Sequence, residues 1–121
     1  MKTNCALLVE WGMPVHGRET KALEEFMNHT TWWNELKSSG KIAEFRAYGD
    51  VTGALSHRSG FVILEGTEEQ IRTLHASDDF RTHLNRGALT VENVHVTLLE
   101  TGDAMTTRLQ RYGKNLKEVL G

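Results

Sequence analysis

The chain has one cysteine, one proline and no surplus of positive charge. A lone cysteine, Cys5, excludes an intramolecular disulfide, so the fold rests on its core, and a reducing, cytoplasmic setting is expected. Lys and Arg total 14 against 16 Asp and Glu, a net charge of −2. That balance argues against a general nucleic-acid binder, which needs a basic surplus or patch to neutralise phosphates. No apolar run approaches the roughly 20 residues of a membrane span. The N-terminal "CALLVEW" contains Glu10 and lacks a cleavage pattern, so it reads as neither span nor signal peptide. The six histidines form no HxH, HxxxH or Cys–His spacing, and no GxGxxG or Walker-type loop occurs. No metal and no cofactor are therefore expected.

What is present is a regular alternation of strand and helix patterns in 121 residues, a length suited to one domain. Asn4 to Gly12 alternates, with Cys5, Leu7, Val9 and Trp11 on one side. A helix is expected from about Arg18 to Ser38. Leu23, Phe26, Thr30, Trp33 and Lys37 form its buried stripe, and Gly40 is its stop. Trp32 falls on a second, half-polar stripe with Ala22, Glu25, His29 and Leu36. Strands are expected over Lys41 to Gly49 and Phe61 to Gly66. Thr67 to Gln70, "TEEQ", is a capping box. Ser77 caps a second helical piece, which Phe80 and Leu84 bury and Gly87 ends. Leu89 to Glu100 reads as the last strand. Asp103 then caps a C-terminal helix on which Met105, Leu109, Tyr112, Leu116 and Val119 recur at spacings of 4 and 3.

The order βαββαβ plus a helix predicts an α+β, ferredoxin-like fold. It has a four-stranded antiparallel sheet, both main helices on one face and an extra C-terminal helix. The expected division is a ferredoxin-like unit over 1–101 and a helix over 102–121 packing on its own or a partner subunit, where it covers Trp32. The helix-facing side is expected to hold Leu7, Val9, Ala43, Phe45, Ala47, Val62, Leu64, Val94, Val96 and Leu98. The opposite face is expected to hold Leu8, Glu10, Ile42, Glu44, Arg46, Tyr48, Phe61, Ile63, His95, Thr97 and Leu99. Soluble monomers avoid contiguous apolar patches, so a partner should cover it. The cover could be a second copy of the sheet, a nucleic acid or another protein; Glu10 and Glu44 would repel RNA phosphates, which disfavours the nucleic acid.

"LHASDDFRTHL" (Leu74 to Leu84), within the strand order of residues 4–100, resembles the kinked second helix of the dimeric α/β-barrel superfamily, which contains antibiotic-biosynthesis-monooxygenase-like and YCII-like proteins. The resemblance implies two sheets packed face to face in a homodimeric α/β barrel. It also implies a repertoire from cofactor-free oxygenation of aromatic polyketides to isomerase-like chemistry and haem degradation. The haem-degrading branch uses an Asn on the first strand with a Trp and a His on or near the second helix. His75 and His83 are available here, but that helix has no Trp, so no triad carries over.

Residues sharing the mixed face are the candidate site. His95, Tyr48 and Glu10 could perform acid–base work on a small organic substrate in the barrel cleft. Arg46, Phe61 and Thr97 could bind it. The competing reading pairs Arg46 with Glu10 or Glu44 as simple cross-strand ion pairs. His57 and Arg58, in the loop before the third strand, read as solvated loop or pocket mouth. Two classes stay open: a cofactor-independent monooxygenase-like or isomerase-like enzyme, and a non-catalytic small-molecule-binding or assembly domain.

Overall fold

The computed structural model describes residues 3–52 and 58–121; His57 lies outside the described residues. The elements are β1 (Cys5–Trp11), α1 (Glu19–Ser38), β2 (Glu44–Gly49), β3 (Gly60–Gly66), α2 (Glu68–His75), α3 (Asp78–Ala88), β4 (His95–Glu100) and α4 (Gly102–Leu120). The sheet runs β2-β3-β1-β4 and every neighbouring pair is antiparallel, the ferredoxin-like arrangement. Leu7, Val62, Leu64, Ile71, Phe80 and Ile42 are the largest fully buried side chains.

Several local signals act as the sequence implies. Thr67 and Gln70 form the reciprocal capping box of α2. Ser77 accepts from the Phe80 amide and starts α3, so the chain bends between the two pieces. Gly40, at φ 77°, takes the left-handed position after α1. Gly60 is required for a different reason: a Cβ there would lie 2.6 Å from the Tyr48 carbonyl and 2.9 Å from the Trp11 ring.

Other expectations are corrected. The last strand is shorter than Leu89 to Glu100. Asn93 sits at φ 54°, a conformation asparagine tolerates, and pairing with β1 begins at His95. α3 continues through Gly87 to Ala88. Thr101, not Asp103, is the N-cap of α4. β2 begins only at Glu44, and Ile42 precedes it. Instead of standing on the open face, Ile42 turns under the end of α1, where its amide bonds the Leu36 carbonyl and its side chain is 2% exposed. Ala47 and Leu98, on the two edge strands, are not covered by the helices.

The largest correction concerns α1. Its buried residues are Ala22, Trp32, Trp33 and Leu36. The half-polar stripe faces inward, while Leu23 and Met27 are 63% and 64% exposed. The reason is α3. It supplies a partner for each polar member of that stripe: Arg86 for Glu25, the His83 carbonyl for His29 and Asp79 for the Trp32 indole. Once satisfied, those groups no longer oppose burial. Trp32 is therefore covered by α3 and not by α4, no residue of which is buried.

Candidate functional site

Strand register places the residues expected from sequence in two rows on the open face of the sheet. Tyr48, Phe61, Glu10 and His95 pair successively across β2, β3, β1 and β4; Arg46, Ile63, Leu8 and Thr97 form the next row. Tyr48 stacks on Phe61, with centroids 4.9 Å apart and planes at 22°. Arg58 lies over Phe61, 4.7 Å from its centroid, and reaches Glu10 at 3.2 Å. Glu10 is thus engaged by Arg58 rather than Arg46. Lys37 bonds both oxygens of Glu44 at 2.9 and 3.1 Å and holds that carboxyl below the usual range. Tyr48 and His95 stand on opposite edge strands, three strand spacings or about 14 Å apart. Within one protomer, Tyr48, Glu10 and His95 do not converge on one small molecule.

A cavity of about 290 Å³ lies on the other side of the sheet, between it and α1 and α3. One wall is a triangle of rings. Trp11 and Trp33 are stacked at 6.2 Å, and Phe26 meets both edge-on at 5.9 and 6.1 Å. Val9, Leu64, Val94, Leu84 and Phe80 extend the apolar lining. Trp11 points there because Gly60 leaves room for its ring.

Most of the polar lining comes from α1 and α3, with Ser59 and Thr90 beside them. His83 stacks on Trp32 at 3.8 Å with planes 14° apart. The Trp32 indole N–H donates to Asp79 Oδ2 at 2.7 Å, and Asp79 Oδ1 lies 3.8 Å from His83 Nε2. That carboxylate favours the proton on Nε2 and leaves Nδ1 with its lone pair. Among the described residues, Nδ1 is buried without a hydrogen-bond partner. Burial is the main influence holding the His83 pKa below its ordinary value, and His29 adds to it. His83 is therefore neutral at pH 7.

His29 faces two carbonyl oxygens, those of Glu25 and, at 3.0 Å, His83. Carbonyls only accept, so a neutral ring donates to one of them at a time. Arg86 clamps the Glu25 carboxylate at 2.6 and 3.0 Å and keeps it ionised below the usual range.

The arrangement is chemically simple. A small, mostly apolar slot with an aromatic wall is bordered by one neutral imidazole whose Nδ1 is buried and unpartnered among the described residues. Sequence reasoning placed Trp32, His29 and Glu25 on a secondary stripe to be covered by the C-terminal helix and left His83 without a role. The available signal was the spacing itself: Glu25, His29, Trp32 and Leu36 hold a helical face as regularly as the apolar stripe does. Cys5 is buried, which pushes its thiol pKa up, away from reactivity. Among the described residues no three His, Cys, Asp or Glu side chains converge to hold a metal ion, and no helix is long and apolar enough to cross a membrane.

No family model and no curated protein matches this chain. Solved structures do. A dimeric ferredoxin-like protein of unknown function from Thermobifida fusca superposes with a TM-score of 0.61 at 10% identity, over 84% of this chain and 94% of that one. A dimeric protein of unknown function with a ferredoxin-like fold from Bacteroides fragilis gives 0.58 at 11% identity, over 80% and 95%. A mutant form of SnoaB from Streptomyces nogalater, a cofactor-independent oxygenase, gives 0.58 at 13% identity, over 84% and 95%. These likenesses establish the ferredoxin-like fold seen in dimeric and oxygenase-type proteins, and the resemblance read from the sequence agrees with them.

Proposed function

We propose that this protein is a homodimeric small-molecule protein whose helix-side cavity receives a flat, largely apolar ring compound bearing an acidic hydroxyl. The observation that carries this reading is His83: a neutral imidazole, stacked on Trp32 in an apolar cavity, with an unpartnered Nδ1. In such surroundings a lone pair is a base for an enol or phenol, and the ring wall matches a planar ligand. Removing that proton gives a carbanion-like ring, the shared first step of isomerisation and of cofactor-independent oxygenation. SnoaB, of the same fold, is a cofactor-independent oxygenase.

The open face, with Leu8, Ile63, Phe61, Tyr48, Arg46, Thr97 and His95, serves the dimer by packing against a second sheet. The engagement of Glu10 by Arg58 supports an assembly role for this face over an acid–base role. A 2-hydroxy-1,4-naphthoquinone probe tests the cavity. All three tryptophans line it, so saturable quenching of their fluorescence is expected, weakened in His83→Gln. Absence of saturable quenching, or equal quenching in His83→Gln, would overturn the reading. Saturable binding without turnover in air would support the non-catalytic binding alternative.

A further inference from the structure

α4 is an amphipathic helix whose apolar side is left exposed by the described residues. Its 19 residues span about 28 Å. Met105, Leu109, Tyr112 and Leu116 lie along one stripe and are all exposed, Tyr112 to 65%. The opposite stripe faces the helix's own protomer. Thr107, Arg108 and Arg111 share a polar recess with Asn4, Glu68 and Arg72, and Arg108 Nε bonds Glu100 at 2.8 Å. The two stripes are roughly 120° apart on the helix. Closing the apolar stripe onto its own chain would require α4 to roll over and break the Arg108–Glu100 bond.

α1 carries the complementary surface. Leu23, Phe26 and Met27 form an exposed apolar stripe, and the first two also border the cavity. α1 holds four acidic residues (Glu19, Glu24, Glu25, Glu35) against two lysines. α4 holds four basic residues (Arg108, Arg111, Lys114, Lys117) against two acidic ones. Two helices of opposite net charge, each with an apolar stripe exposed among the described residues, therefore exist on one chain, and the Arg108–Glu100 bond turns the stripe of α4 away from its own protomer. Two copies of α4 would instead set positive against positive.

We propose that α4 docks in trans, laying Met105, Leu109, Tyr112 and Leu116 on Leu23, Phe26 and Met27 of a second copy of this chain and closing the mouth of that copy's cavity. This rests on the homodimer reading above. Each site is then completed by the other subunit.

Disulfide trapping tests it in a Cys5→Ala background, with Met27→Cys on one chain and Leu109→Cys on the other, mixed after subunit exchange and oxidised. Both positions are exposed, so the substitutions leave the core intact. Leu23→Cys with Leu116→Cys provides a second pair. The expected result is a covalent dimer from the mixture, several-fold above either single variant alone. Equal linking by Leu109→Cys alone would mean that α4 pairs with α4 and would overturn the proposal. A linked monomer from the double variant would place the contact in cis and also overturn it. No link, with native mass spectrometry still reporting a dimer, would overturn the docking and leave the homodimer standing. A monomer in that measurement would overturn both.

Discussion

Leu7, Val9 and Leu64 face α1 and α3, while Leu8, Glu10 and Ile63, one step along the same strands, face the open side. The helix side is closed by helices whose polar groups find partners, and it retains a cavity. The open side carries half-buried groups on its central strands and exposed ones such as Arg46, Tyr48 and His95 on its edges, which the described residues of one protomer do not cover. The concavity that a small ligand needs lies on the helix side. The open side has area, which suits association.

Substitutions on the two faces sharpen this contrast. Trp32→Ala should have the largest effect. It removes a core indole and strands Asp79, costing about 3–5 kcal/mol, read as a drop in the urea midpoint. A small effect would mean that the α1–α3 layer is not the core described here. His83→Gln should keep the packing but remove the base, lowering any turnover by about 100-fold or more with little change in stability. Comparable loss in His95→Gln instead would return the chemistry to the open face. Ile63→Asp should leave the protomer folded and weaken dimerisation by about 30-fold, measured by sedimentation equilibrium.

Acid titration probes the helix side next. The folded-state pKa of His83 is depressed, so the unfolded chain takes up its proton first. Stability is expected to fall as pH drops below 6.5, down to the folded value. The carboxyl of Glu25 is also depressed, by hydrogen bonds from Arg86. Its contribution is present above 4.5 and is lost as pH falls further. In His83→Gln the upper limb should vanish and the lower one remain. An unchanged upper limb would assign it to another group. Arg58→Ala, on the open face, should matter least, at about 1 kcal/mol or less.

Much of the fold was legible because its signals are local. The capping box at Thr67, the N-cap at Ser77 and the left-handed Gly40 depend on a few neighbouring residues, and alternation along β1 and β3 assigns their faces. Strand ends were less legible. Asn93 shortens β4 through one backbone angle, and Ile42 leaves the open face because the end of α1 pulls its amide in. The inward side of α1 was misread because periodicity ranks stripes by their apolar content. Glu25, His29 and Trp32 lose that ranking, yet they are buried because Arg86, the His83 carbonyl and Asp79 meet them from a helix more than forty residues away.

Order and type of elements, the apolar layer of the sheet and the seam on α4 follow from the chain alone, because each is written in spacings of two to four residues. Which side of α1 turns inward, that Arg58 rather than Arg46 engages Glu10, and that a cavity opens beside His83 were decided only on folding. These depend on pairings between distant segments, where a polar group's cost of burial is cancelled by a partner that no local pattern reveals.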